Sequence, residues 1–80
     1  MNIQLIKGSF QANDSIDLIT QMIQVKIKFH ENQVSNSHNE EDIKTRESRI
    51  KHLQNDLSEV RKYLSEQDGK VTLDFVLSID

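Results

Sequence analysis

The hydrophobic pattern of this 80-residue chain changes its period twice, and this change constrains the fold more than any other feature of the sequence. Alternation is typical of a strand with one buried face, whereas an α-helix repeats every three to four residues. The N-terminus alternates briefly, with Ile3 and Leu5, up to Gly8, and a helical period follows. Near the C-terminus the alternation returns, with apolar residues at Val71, Leu73, Phe75, Leu77 and Ile79.

The first helical segment has more apolar surface than one neighbour can cover. Asp14 is predicted to cap its start, with Ser9 as an alternative cap. Its apolar arc spans roughly 200°, about twice what a single contact requires. The helix is therefore expected to meet two surfaces, the second helix and either the sheet or a second subunit. Its apolar residues form two stripes, Ile16, Ile19, Ile23 and Ile27 on one and Leu18, Met22, Val25 and Phe29 on the other.

A short polar segment separates this helix from a second one. Two starts fit the second helix: Asn39 followed by three acidic residues, or a capping box formed by Ser37 and Glu40. Gly69 supplies the residue that most often ends a helix. The short loop makes the helices antiparallel neighbours, folded back about residue 37. The second helix carries a heptad pattern, with Ile43, Ile50, Leu57 and Leu64 at a and Arg46, Leu53 and Val60 at d.

These elements predict an α+β fold with the order β-α-α-β. A long antiparallel helical hairpin is expected to pack on one face of a small antiparallel sheet formed by the terminal strands. Residues 1–80 form one domain, because no linker divides the chain. The predicted elements are a strand at about 2–7, a helix at about 14–33, a turn at about 34–39, a helix at about 40–67 and a strand at about 70–79.

The small size of the chain predicts association between copies. A core of this size rarely supplies more than roughly 3–5 kcal/mol, so small domains usually add a disulfide, a metal or a partner subunit. The chain has no cysteine, and its predicted final strand is longer than the first, which leaves part of the final strand's edge unpaired. We therefore expect a homodimer in which the sheet is extended or the helices are shared. A strand edge or a helix face would remain for a protein partner.

A group of polar residues interrupts the apolar surfaces toward the turn of the hairpin. As a functional site, this group would be a polar pocket for an anion or for an acidic segment of a partner, because Arg and Lys together favour carboxylate and phosphate. As a purely structural feature, it would be a less buried end of the hairpin, where Lys and Arg lay aliphatic stems on the core. The sequence favours this second interpretation. The candidate residues are Lys26, His30, Gln33, Arg46 and Glu47.

Little in the sequence indicates catalysis, a cofactor or a metal. The chain lacks a cysteine nucleophile, a glycine-rich phosphate loop and a nucleophile elbow. The three histidines, His30, His38 and His52, are too far apart for zinc-type spacing, so no metal or cofactor is expected. An enzyme would need a site shared between subunits.

Charge and hydropathy narrow the range of partners. The formal charge is −3 and the basic residues of the second helix are interleaved with acids, so nucleic acid is an unfavourable partner. The N-terminus lacks the regions of a signal peptide, and no apolar run approaches the roughly 20 residues of a membrane span, which predicts a cytoplasmic protein without membrane contact.

No motif identifies a family. The favoured function is a non-enzymatic protein-interaction or adaptor module acting as an oligomer. The alternatives are a small nucleic-acid-associated regulator and an enzyme with an intersubunit site.

Overall fold

A computed structural model describes the whole chain, Met1–Asp80, as a β-α-α-β fold. The two strands form an antiparallel sheet, and the two helices form a hairpin packed against it, which confirms the predicted fold class. The elements are β1 (Asn2–Gln11), α1 (Ala12–Asn36), α2 (Glu40–Ser65) and β2 (Lys70–Ser78).

The two strands pair along their whole length. The register runs from Asn2 opposite Ser78 to Gln11 opposite Lys70. The expectation that β2 is longer than β1 and leaves part of its edge unpaired is therefore wrong. Only the outer edge of each strand has no strand beside it. β1 is longer than predicted because Gly8 does not end it: Gly8 lies within the strand with φ of 145°, a value that glycine adopts far more readily than other residues.

An irregularity in β1 changes the sheet near the chain termini. The register shifts between Gln4 and Ile6, so Leu5 is an extra residue with no partner on β2. The Gln4 side-chain amide donates to the Ile6 and Phe75 carbonyl oxygens, both at 2.9 Å, and contacts an Asp74 carboxylate oxygen at 2.7 Å. These contacts hold the bulge in place. At the bulge and beyond it, toward the chain termini, the following apolar residues are exposed: Met1, Ile3, Leu5, Val76, Leu77 and Ile79.

The start of α1 differs from the prediction. Gln11 occupies the N-cap position without a side-chain hydrogen bond, and Asp14 lies in the first turn instead of capping it. The chain passes directly from β1 into α1, and the Ser15 hydroxyl donates to the Gln11 carbonyl oxygen at 3.1 Å. The Ala12 amide donates to the Gly69 carbonyl oxygen at 3.2 Å. This bond ties the β1–α1 connection to the α2–β2 connection.

The turn of the hairpin covers only residues 37–39, and of the two predicted starts for α2 the Asn39 cap is the one observed. The Asn39 side-chain oxygen accepts from the Glu41 amide at 2.9 Å and from the Asp42 amide at 3.2 Å. The Ser37 hydroxyl accepts from the Asn39 amide at 3.2 Å, which is not a capping box. The cap satisfies two backbone donors that the first turn of a helix leaves free.

The buried core is small and lies at one end of the hairpin. Four of the five buried residues are Ala12, Ser15, Leu64 and Leu73, where the start of α1, the end of α2 and β2 meet; we call this region the junction. α1 contacts α2 and both strands, whereas the backbone of α2 approaches neither strand. From the junction the hairpin and the far end of the sheet project as two arms.

The shape of the molecule follows from these arms. Its extents are 47 × 32 × 13 Å, so the shortest is little more than the width of one helix. The radius of gyration is 15.2 Å, whereas a compact domain of this length has about 12 Å. A slab this thin leaves most side chains close to solvent.

Candidate functional site

A polar pocket lies between the two helices, away from the junction. Its volume is about 310 Å³. The lining consists of Lys26 and His30 from α1 and Arg49, His52, Leu53 and Asp56 from α2. Because the helices are antiparallel, these residues face one another across the groove of the hairpin.

His30 is the buried residue of this pocket, with 5% of its surface exposed. Its Nδ1 atom lies 3.1 Å from Nη1 of Arg46. A guanidinium group can only donate, so Nδ1 is the acceptor and we assign the imidazole proton to Nε2. Arg46 is held in turn by Asp42, with its Nε 3.3 Å from a carboxylate oxygen. The Arg46 bond therefore orients the ring and leaves a neutral Nε2–H donor.

The environment of His30 is electropositive. Burial lowers the pKa of its imidazole, and the positive charges of Arg46, Arg49 and Lys26 lower it further. These cations come from both helices. The structure contains one ion pair, Arg46 with Asp42, so Lys26 and Arg49 have no carboxylate within salt-bridge distance.

The structure brings together part of the predicted polar group. Lys26 and His30 line the pocket, and Arg46 bonds to His30. Gln33 and Glu47 do not line it. Sequence reasoning missed three polar residues of the lining. Their spacing is the signal that could have found them, because residues three and four positions apart lie on the same face of a helix. These residues are Arg49, His52 and Asp56.

An apolar cleft of about 630 Å³ lies between the end of α2 and β2, beside the junction. Three of its lining residues, Val71, Thr72 and Leu73, are consecutive in β2, and none comes from β1. Successive side chains of a strand point to opposite faces, so a cleft lined by three of them reaches the strand's outer edge. The remaining lining residues are Ile19, Glu59, Val60, Tyr63 and Leu64.

One apolar stripe of α1 is left uncovered. The residues of the first stripe are all half-buried: Ile16, Ile19, Ile23 and Ile27. The second, which we call the α1 stripe, consists of Leu18, Met22, Val25 and Phe29. Val25 is 71% exposed, Phe29 56% and Met22 39%, and Leu18 is half-buried. Within the chain α1 contacts α2 and both strands, yet these contacts leave Met22, Val25 and Phe29 exposed.

Two further findings bear on function. Neither helix combines the length and the apolar character that crossing a bilayer demands. No three histidine or acidic side chains converge in a way that could hold a metal ion.

The fold and its surfaces define a small β-α-α-β protein with a polar pocket and two apolar surfaces. No protein-family model, no curated protein sequence and no solved structure matches this chain.

Proposed function

We propose that this protein is a non-enzymatic interaction module that works as a homodimer, joined along the α1 stripe. The observation that carries the proposal is the exposure of that stripe. A single apolar side chain on a surface is ordinary, but three exposed ones, Met22, Val25 and Phe29, aligned along one face of a helix are typical of an interaction site. A second copy of the chain presents the same face, as a twofold interface requires.

The surface area of the chain supports association. The monomer exposes 6343 Å², whereas a compact protein of its mass exposes about 5,000 Å². The excess is about 1,300 Å² per chain, which lies within the range of roughly 1,000–2,500 Å² that each subunit buries in an obligate homodimer. One interface of ordinary size would bring the exposed area down to that of a compact protein.

The spacing of the stripe suits helix-to-helix packing. Leu18, Met22, Val25 and Phe29 follow one another by four, three and four residues, which is the repeat of a coiled-coil seam. α1 would then have a neighbour on each apolar side, α2 within the chain and the partner's α1 across the interface. The dimer core would be a bundle of four helices.

The test of the dimer is the solution mass over a wide dilution range, measured by light scattering after gel filtration. Val25→Glu places a charge in the middle of the α1 stripe, and Gln24→Glu adds the same charge one residue away from it. We expect the parent and Gln24→Glu proteins to have twice the chain mass of 9.3 kDa and Val25→Glu to be monomeric. A parent protein that is monomeric at all concentrations, or a Val25→Glu protein that still dimerises, would refute this interface.

The second part of the proposal concerns the protein partner. The apolar cleft reaches the free edge of β2 at Val71, Thr72 and Leu73, and the unpaired backbone groups of a free edge can bind another strand. An extended partner segment could add to this edge and place alternate apolar side chains in the cleft, a recognised mode of peptide binding. We therefore propose that the partner supplies such a segment.

This part is tested by selecting binding peptides from a display library and measuring hydrogen exchange in the complexes. Tyr63 lines the cleft and Lys62 precedes it on the exposed surface of α2. Selected peptides should alternate apolar and polar residues, should slow amide exchange in β2, and should lose affinity for Tyr63→Glu but not for Lys62→Glu. Peptides that protect other elements, or that bind both variants equally, would contradict the proposed mode.

A further inference from the structure

The polar pocket has the composition of a site for an anion. Of its six lining residues, Lys26, Arg49, His30 and His52 can donate hydrogen bonds, Leu53 is apolar and Asp56 is the single acid. The donors come from two helices, so they reach the space between the helices from opposite sides. This arrangement does not depend on the α1 stripe or on the apolar cleft.

The positive charge of the pocket is only partly offset within the chain, since Asp56 is one acid beside the two cations Lys26 and Arg49. Arg46 is paired with Asp42, but Lys26 and Arg49 have no such partner, although the protein carries a net charge of −3. An electropositive spot on an acidic protein attracts small anions while the rest of the surface repels long polyanions. The charge distribution therefore favours a small anion over a nucleic acid.

We infer that the polar pocket binds a phosphate group, either as free phosphate or on a small molecule. A carboxylate is planar and is matched by one guanidinium fork, whereas phosphate offers oxygens in several directions. Here the lining supplies three separate kinds of donor, the Lys26 ammonium, the Arg49 guanidinium and the His30 imidazole. The volume of about 310 Å³ is at the lower end for ligand pockets, which suits a small ligand.

Two residues, Arg46 and Asp56, would affect phosphate binding in the pocket. Arg46 bonds to Nδ1 of His30 and so keeps Nε2–H available as a donor, which makes Arg46 a positioning residue. Asp56 would repel a phosphate dianion, so its removal should improve binding. This second expectation distinguishes a specific site from general attraction to a basic helix.

The experiment titrates the full-length protein with inorganic phosphate and, separately, with glycerol phosphate, at constant ionic strength, followed by NMR of the backbone amides and histidine rings. Arg49→Gln removes one pocket cation, and Arg61→Gln makes the same change on α2 outside the pocket. Both side chains are exposed, so both variants should fold.

We expect saturable shifts at Lys26, His30 and Arg49, with affinity about tenfold lower in Arg49→Gln, unchanged in Arg61→Gln and higher in Asp56→Asn. Tighter binding of glycerol phosphate would favour a small phosphomonoester as the ligand, and equal binding would show that the pocket recognises the phosphate group alone. Shifts that do not saturate, or equal weakening in both arginine variants, would overturn the proposal. Because Arg49 lies outside the α1 stripe, this result is independent of the dimer test.

Discussion

Leu64 and Leu57 occupy the same heptad position on α2, two turns apart, yet they differ in burial. Leu64 lies in the junction with 5% of its surface exposed, whereas Leu57 is only half-buried. At Leu64 three elements meet, because α1 and β2 both pack nearby, while Leu57 has only the other helix beside it. The comparison shows that a heptad identifies which side chains turn inward, but a third element decides how deeply they are buried.

The largest effect is expected from truncating these two leucines. Leu64→Ala should lower the free energy of unfolding by about 3 kcal/mol, because it opens a cavity in the only closed part of the core. Leu57→Ala, at a half-exposed site, should cost roughly half of that. Urea denaturation at a fixed protein concentration measures both. Equal losses would mean that Leu57 is covered as well, and the contrast between junction and arm would not hold in solution.

The stability of the hairpin near its turn should depend more on the Asn39 cap of α2 than on side-chain packing. Asn39→Ala removes the acceptor for the Glu41 and Asp42 amides, and we expect it to cost about 1 kcal/mol. Ser37→Ala, in the same turn, removes a single hydroxyl contact to the Asn39 amide and should cost clearly less. Thermal unfolding of both variants checks the order. A larger loss for Ser37→Ala would show that the turn, and not the cap, fixes the start of α2.

The elements could be predicted from the sequence because their signals are local. The heptad, the alternation of β2 and the Asn39 cap each lie within one segment, and the β-α-α-β order follows from them. The end of β1 could not be predicted, since Gly8 usually marks a turn and only the partner strand shows that it continues the sheet. The bulge at Leu5 likewise depends on contacts between Gln4 and residues far away in sequence.

The polar pocket was only partly predictable for a related reason. Lys26 and Arg46 are conspicuous on apolar faces, and His30 lies near them, so the sequence alone selects these three, together with Gln33 and Glu47, which do not line the pocket. Arg49 and Asp56 lie on a face of α2 that looks like an ordinary solvated surface. They become pocket residues only once the turn at residues 37–39 sets the register between the helices.

An effect on stability of opposite sign is expected on α1. The Thr20 hydroxyl oxygen is buried without a hydrogen-bond partner. Thr20→Val keeps the shape and removes the unpaired group, so it should stabilise the protein by about 1 kcal/mol. Thr45→Val, the same change at an exposed site on α2, should have little effect. If Thr20→Val destabilises the protein in urea denaturation, the hydroxyl has a partner in solution, such as a bound water.

The last prediction concerns pH and separates the interior of the hairpin from its exposed turn. Since the pKa of His30 is lowered from 6.5 in the folded state, the unfolded chain binds the proton more readily. Stability should therefore fall as pH drops through about 6.5, and the loss should level off below the folded pKa. Burial of the ring is the main cause of the lowered pKa, and the positive charges of Arg46, Arg49 and Lys26 add to it. His30→Asn keeps a side-chain acceptor for Arg46 but cannot titrate, so its urea midpoint should change less than that of the parent protein between about pH 7.5 and 5.5.

His38→Gln, in the exposed turn, should retain the pH dependence of the parent protein. If His38→Gln abolishes the dependence and His30→Asn preserves it, His30 is not the group that opposes protonation, and the lowered pKa assigned to its buried ring would be wrong.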